Sequence, residues 1–151
     1  MGFRTTETVD VDVPPSGVFP YVAALDEYPT WLPLVHTAWL EEPDLKPAWL
    51  VEIRANVGPF ARSKRLRMVR TVHEPDRSVE FRRSELDDRR HARWVLRVEL
   101  EPVGESTTRV TMHLEYDGSL WTGGVLDRVL ADEVRRGRDG LAELVSAAPT
   151  R

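Results

Sequence analysis

Three polar side chains of this sequence are the best candidates for chemistry: Tyr116, Arg70 and Glu85. Tyr116 belongs to an alternating apolar run, which directs its phenol into the interior, where a ligand oxygen or a backbone group must satisfy it. Arg70 continues the alternation of Leu66 and Met68, so it is expected inside unless it reaches the rim. A buried arginine needs a carboxylate from the protein or from a ligand. Glu85, on the next strand, is one such neighbour.

The sequence contains no motif typical of nucleophilic, metal-dependent or nucleotide-dependent catalysis. Cysteine is absent, and the four histidines have no spacing typical of metal ligands. No glycine-rich phosphate loop follows a strand, and no nucleophile–base motif occurs. We therefore predict no metal and no cofactor. The histidines are His36, His73, His91 and His113.

A set of mostly apolar residues on alternating strand positions and on one helix stripe is predicted to line an internal cavity. Its aromatic and methionine side chains form adaptable walls for flat or flexible apolar ligands, although plain core packing is the alternative for each. Trp31 and Leu32 are expected at the cavity mouth or, alternatively, as a staple between a short helix and the sheet. The predicted ligand-binding residues are Trp31, Leu32, Trp49, Val51, Ile53, Met68, Phe81, Trp94, Leu96, Met112, Leu114, Tyr116, Leu126, Leu130 and Val134.

The hydrophobic pattern predicts the elements that position these residues. Alternation predicts a strand over 3–13, and the prolines after it begin a short helix with Pro20 in its first turn. A second short helix is predicted over 26–33. Six strands joined by short turns follow, which indicates an antiparallel meander over 35–41, 48–57, 61–73, 79–85, 92–100 and 108–117. A long amphipathic helix, capped by Thr122 or Ser119, runs from Leu126 to Val145.

The length and the order of these elements bound the fold. A chain of 151 residues is predicted to form one domain, 1–151. The seven-stranded antiparallel sheet has one apolar face, and the last helix carries the long apolar stripe that can cover it. Twist curls so wide a sheet and one helix does not fill the concavity, which predicts an α+β fold with an apolar pocket. Gly137 and Gly140 mark a helix bend or a close approach of a strand, the sheet or a ligand.

The balance of charged residues limits the classes of binding partner that we expect for this chain. With 21 Lys and Arg against 25 Asp and Glu, the formal charge is −4, which argues against a general nucleic-acid-binding role. The basic strand over 62–70 is expected to pair with glutamates of neighbouring strands on the outer face. No apolar run is long enough to cross a membrane, and the first residues do not resemble a secretory signal. We predict a cytoplasmic monomer or homodimer.

Two parts of the chain resemble the START/Bet v 1-like superfamily, which includes polyketide cyclase/dehydrase-like and lipid-transfer proteins. The first part is 13–19 followed by 25–33, and the second is 116–118 followed by 123–130 and 135–137. The resemblance covers essentially the whole chain. It implies the helix-grip fold, in which a seven-stranded curved antiparallel sheet wraps around a long C-terminal helix, with two short helices between the first two strands.

The function expected first is the binding of one small hydrophobic molecule, such as a lipid, polyketide, quinone or aromatic metabolite, in the internal cavity. A polyketide cyclase/dehydratase-like enzyme, which the resemblance allows, is the alternative, with Tyr116, Arg70 and Glu85 as candidate catalytic groups. A protein regulated by a partner is a second alternative, because Trp39, Trp121 and Phe60 are expected on the surface.

Overall fold

Seven antiparallel strands and a long C-terminal helix form the frame of the molecule. The computed structural model describes residues 2–43, 46–57, 59–117 and 125–147. Within them the elements are β1 (Phe3–Val11), α1 (Pro15–Val22), a 3₁₀ helix (Leu25–Thr30), β2 (Val35–Glu42), β3 (Ala48–Val57), β4 (Phe60–Glu74), β5 (Ser78–Arg83), β6 (Trp94–Pro102), β7 (Thr108–Tyr116) and α2 (Val125–Ala147). The predicted element order is confirmed. Trp121 and the predicted caps Ser119 and Thr122 lie outside the described residues.

The sheet has the strand order β1-β7-β6-β5-β4-β3-β2, and every neighbouring pair is antiparallel. β1 and β2 are the two edges, so the sheet curves without closing into a barrel. Its concave face carries the apolar residues of the alternating strands, and α2 packs against that face, mainly on β1 and β3. This arrangement is the predicted helix-grip fold. No described helix is both long and apolar enough to span a bilayer.

The two short helices between β1 and β2 differ in detail from the prediction. α1 begins at Pro15, so Pro20 lies in its second turn rather than in its first, and the helix ends at Val22. A proline in that position removes a helical hydrogen bond, which limits the length of the helix. The segment predicted as a second helix is a 3₁₀ helix, the tighter form that short connections adopt.

The core fills most of the concave space with large side chains. Trp49 is 1% exposed, and its indole Nε1 donates a hydrogen bond of 2.8 Å to Asp26 Oδ1, next to the 3₁₀ helix start. Phe81 meets both Trp49 and Tyr28 edge to face, with ring centroids 5.5 Å and 5.7 Å away. These contacts join the sheet to the 3₁₀ helix, which is why the void predicted inside the sheet is only partly present.

Gly137 and Gly140 provide close packing, one of the two roles that the sequence left open. A Cβ at Gly137 would overlap the Leu32 Cδ1 atom, and one at Gly140 would come within 2.5 Å of the Trp31 carbonyl oxygen. α2 therefore approaches the segment between the 3₁₀ helix and β2 more closely than any residue with a side chain would allow. The partner of these glycines is that segment, not a strand of the sheet.

Candidate functional site

The apolar interior contains a cavity between the sheet and the first half of α2. We call its wider part the outer cavity; its volume is about 260 Å³. Strands β3, β4, β6 and β7 form its walls together with α2. The lining residues are Leu34, Ile53, Arg54, Ala55, Arg62, Ser63, Lys64, Trp94, Tyr116, Leu126 and Leu130.

A smaller and wholly apolar inner cavity of about 30 Å³ lies beside the outer cavity, among buried residues of the core. The two share Leu34, Ile53 and Trp94 as walls. The remaining lining residues of the inner cavity are Leu25, Leu32, Val35, Val51, Leu66, Met68, Leu96, Leu114 and Val134. Space for a guest thus lies chiefly near the open end of the sheet, where β3 and β4 extend past the shorter β5.

Trp94 stands at the junction of the two cavities and carries an unusual polar group. Its side chain is buried, and its indole Nε1 has no hydrogen-bond partner among the residues that the structure describes. The Tyr116 ring packs against it with centroids 4.4 Å apart. Because a buried donor without an acceptor is costly, an acceptor atom supplied by a ligand would stabilise this site.

Cationic side chains border the outer cavity, contrary to the expectation that the whole basic strand pairs on the outer face. Arg65 and Arg67 do lie on that face, with nitrogens 3.7 Å and 3.2 Å from carboxylate oxygens of Glu52 and Glu41. Arg62 and Lys64 lie on the opposite, concave face, because alternation places them with Leu66 and Met68. In the sequence, this alternation along β4 is the signal that could have placed Arg62 and Lys64 on the concave face.

Arg70 faces the concave side, as alternation predicts, but it has a structural partner. Its Nη1 donates a hydrogen bond of 2.7 Å to the Ala23 carbonyl, and its guanidinium lies 5.7 Å from the Trp49 ring centroid. Burial lowers the pKa of this guanidinium. A β-bulge follows between Arg70 and Val72, so His73 rather than Val72 lies on the concave side, where its exposed ring contacts Phe19. Arg70 therefore anchors the end of α1 and contacts neither described cavity.

Glu85 is also engaged within the protein. Its Oε2 accepts hydrogen bonds of 2.7 Å from Arg83 Nε and 3.1 Å from the Arg67 backbone N–H. In the second bond, the Glu85 carboxylate accepts from the backbone of β4 in place of a β5 carbonyl, because β5 has ended at this point. Of the three polar candidates, Tyr116 is the one that lines the outer cavity.

The predicted lining residues divide into those at the cavities and those in the packed core. Ile53, Trp94, Tyr116, Leu126 and Leu130 border the outer cavity. Leu32, Val51, Met68, Leu96, Leu114 and Val134 border the inner cavity. Trp31, Trp49, Phe81 and Met112 are buried in the core cluster and contact neither space.

Of the two roles that the sequence leaves open for Trp31 and Leu32, the packing favours the staple over the cavity mouth. Trp31 is 3% exposed, and its Nε1 donates a hydrogen bond of 2.9 Å to the Tyr21 carbonyl. Leu32 is buried beside Gly137 at the inner end. Both hold the 3₁₀ helix region between α2 and the sheet, which is the staple role. The rim includes Arg54, Ala55 and Ser63, whereas Leu34 is a buried wall that is 4% exposed. Sequence reasoning missed all four because the borders of the cavity depend on where the strands end.

A second hollow, of about 510 Å³, lies on the convex face of the sheet. Its walls include Trp39 and Leu50, which are 69% and 49% exposed, and Arg65, Arg67 and Glu85, which have protein partners. Phe60, at the start of β4, is also exposed. These are surface features of the kind that the partner hypothesis expects.

Two further titratable groups, His113 and Glu133, line neither of the two cavities. His113 lies on the outer face between Glu99 and Thr6, and no group of three or more His, Asp or Glu side chains in the described residues is arranged to hold a metal. Glu133 of α2 is buried, with Oε2 unpartnered among the described residues and Arg136 3.5 Å from Oε1. Burial raises the pKa of Glu133, so this carboxyl takes up a proton more readily than an exposed one.

The fold and the cavity define a helix-grip protein with an apolar space between sheet and helix. Residues 2–146 match the family described as "Polyketide cyclase / dehydrase and lipid transport". The chain belongs to this family, and the predicted membership in the START/Bet v 1-like superfamily is confirmed. A comparison with curated proteins gives no match.

Solved structures with the same fold include proteins of different descriptions. The Zhui aromatase/cyclase from Streptomyces sp. R1128 is 12% identical, with a TM-score of 0.75 over 97% of this chain and 94% of that one. A START superfamily protein from Mycobacterium smegmatis is 15% identical, with a TM-score of 0.74 over 95% and 97%. A protein from Thermus thermophilus is 19% identical, with a TM-score of 0.77 over 97% and 99%. At these identities the likeness shows the fold alone.

Proposed function

We propose that the protein binds one small, largely apolar molecule in the outer cavity, with a hydrogen-bond acceptor of that molecule at Trp94 Nε1. The observation that carries this proposal is the buried indole N–H of Trp94, which has no hydrogen-bond partner among the described residues and belongs to a side chain that lines both apolar spaces. A polar group in such a place is satisfied when an acceptor enters with the guest.

The size and walls of the cavity support a small guest. The outer cavity, at about 260 Å³, is slightly below the range of roughly 300–1,000 Å³ typical of pockets for drug-sized ligands. Ile53, Leu126 and Leu130 supply apolar contacts, and the Trp94 and Tyr116 rings supply a flat wall. A flat ring system or a short chain with one carbonyl or ether oxygen fits this chemistry.

A polyketide cyclase/dehydratase-like reaction is the second candidate, favoured by the family description and by Tyr116 in the cavity wall. Proton transfer would then rest on the Tyr116 phenol, because Tyr116 is the one of the three candidate groups that lines the outer cavity. Binding is preferred because it needs no acid–base pair beside the guest.

The fluorescent probe N-phenyl-1-naphthylamine tests the cavity directly. We expect the wild-type protein to bind it at one site, and Ala55→Trp to weaken binding at least tenfold, because the indole occupies the outer cavity that Ala55 borders. Fluorescence titration measures both affinities.

Ala61→Trp is the matched control. Ala61 is exposed and pairs with Asn56 at a position that alternates away from the cavity. Its variant is expected to bind the probe as the wild type does. Absence of probe binding by the wild type, or equal binding by Ala55→Trp, contradicts the proposed function.

The role of the Trp94 donor is tested with two ligands of similar shape. Trp94→Phe removes the N–H and keeps an aromatic ring, so we expect about five- to tenfold weaker binding of 2-acetylnaphthalene, the effect of one lost hydrogen bond. Binding of 2-ethylnaphthalene, which offers no acceptor, should change less than twofold. Calorimetry measures both, and equal losses for the two ligands would show that Trp94 acts by packing alone.

A further inference from the structure

Lys64 differs from the other cations near it on β4 and β5. Arg65, Arg67 and Arg83 each have a carboxylate oxygen within ion-pair distance, from Glu52, Glu41 and Glu85 respectively. Lys64 takes part in no ion pair or hydrogen bond within the described part of the chain. Its partly buried ammonium group therefore has no direct ion-pair partner among the described residues.

The position of Lys64 directs this charge toward the guest. Lys64 pairs with Ile53 across β3 and β4, on the concave face, and both residues line the outer cavity. Arg54 and Arg62 line it too, whereas no acidic residue is among the described residues of its wall. The acid whose charge acts on Lys64 is Glu85, and its Oε2 already accepts two hydrogen bonds within the protein.

The electrostatic environment of Lys64 favours the binding of an anion. Burial and the charge of Arg83 lower the pKa of the Lys64 ammonium group, and Glu85 opposes them only in part. An ammonium group that loses water without gaining a partner does not stabilise the fold. An anion bound beside it would supply the interaction that the protein lacks.

We propose that the ligand of the outer cavity is an apolar acid, whose carboxylate binds Lys64 at the rim while its apolar body lies against Trp94 and Leu34. This inference rests on the proposed function and adds the class of ligand to it. The carboxylate keeps contact with water at the rim, so its desolvation is small, and the apolar part provides most of the affinity.

The experiment compares 2-naphthoate with its methyl ester, each displacing N-phenyl-1-naphthylamine at pH 7. We expect the wild type to bind the acid about tenfold more tightly than the ester, the preference that one charge-assisted contact provides. Lys64→Met should lose this preference, so that the acid and the ester bind with similar affinity. Lys64→Arg should retain the preference, because it keeps the positive charge.

Lys46→Met is the matched control, since Lys46 is the other lysine of the chain and is exposed outside the cavity. It should show the wild-type preference for the acid. If the acid and the ester bind equally, or if the preference persists in Lys64→Met, the inference fails while the proposed function stands. If the neutral probe itself does not bind, the proposed function fails, and the two failures are thus distinguishable. Thermal unfolding of each variant verifies that it folds.

Discussion

Replacing Trp49 with alanine is expected to lower the free energy of unfolding by about 3–5 kcal/mol, the range for truncating a buried tryptophan. The indole is 1% exposed and packs edge to face on Phe81. Its Nε1 bond to Asp26 ties β3 to the 3₁₀ helix, and its ring supports the Arg70 guanidinium. The variant loses all of these contacts and leaves a void in the core. Urea denaturation followed by circular dichroism measures the change.

Trp39→Ala is the control for this prediction, since it removes the same side chain from a position that is 69% exposed. We expect a change of about 0.5 kcal/mol or less, as is usual for surface sites. Similar destabilisation by the two substitutions would mean that the core does not depend on the contact between β3 and the 3₁₀ helix. Trp49→Phe should lie between them, because it keeps a ring and loses the bond to Asp26.

The second large effect is expected at Gly140. An alanine there gains about 1 kcal/mol of helix propensity. Its Cβ, however, would lie 2.5 Å from the Trp31 carbonyl oxygen, and a backbone atom cannot rotate away as a side chain can. Either α2 or the segment after the 3₁₀ helix must shift, so we expect Gly140→Ala to be destabilising by about 2 kcal/mol net. The midpoint of urea denaturation measures this shift.

Gly104→Ala is the matched control for Gly140. A Cβ at Gly104 would have its nearest neighbour, Thr107 Cβ, at 3.7 Å, which is ordinary van der Waals contact. This substitution is expected to be neutral or slightly stabilising, because alanine restricts the unfolded chain. A stabilised Gly140→Ala variant would instead show that α2 does not need its close approach to Trp31. Gly137→Ala should have a smaller effect than Gly140→Ala, since Leu32 is a side chain with some freedom to move.

Most of the fold could be predicted because its signals are local. Alternation in β3, β6 and β7 identified the buried face of each strand, and α2 was recognised from its three- and four-residue apolar spacing. Short turns between successive strands permit antiparallel pairing, whereas parallel pairing needs a long crossover connection. The errors are at element ends, such as Pro20 within α1 and the 3₁₀ helix after it, where hydrogen bonding rather than hydrophobic pattern sets the boundary.

The site was less predictable than the fold. Alternation correctly placed Arg70 on the concave face, yet its bond to the Ala23 carbonyl depends on where α1 ends in space. An apolar residue such as Trp31 suits a cavity mouth and a packed core equally well. The sequence therefore could not distinguish its burial against Gly140 from a place at the cavity mouth. The ion pairing expected for the basic strand places Lys64 on the outer face together with its neighbours. Its two-residue spacing from Leu66, however, favours the concave face.

The sequence by itself determined the inward face of most strands and of the long helix, because the two-residue repeat of a strand and the 3.6-residue repeat of a helix are properties of the local backbone. The β-bulge after Arg70, where this repeat breaks, was not determined in this way. The sequence also determined the order of β2 to β7, since short connections join neighbours, whereas the pairing of β1 with β7 joins strands that are distant in the chain. Only the tertiary structure decided which inward residues fill space and which border it. That division depends on how far α2 approaches Trp31 and Leu32 and on how far β3 and β4 extend past β5, both of which arise from contacts between residues distant in the chain.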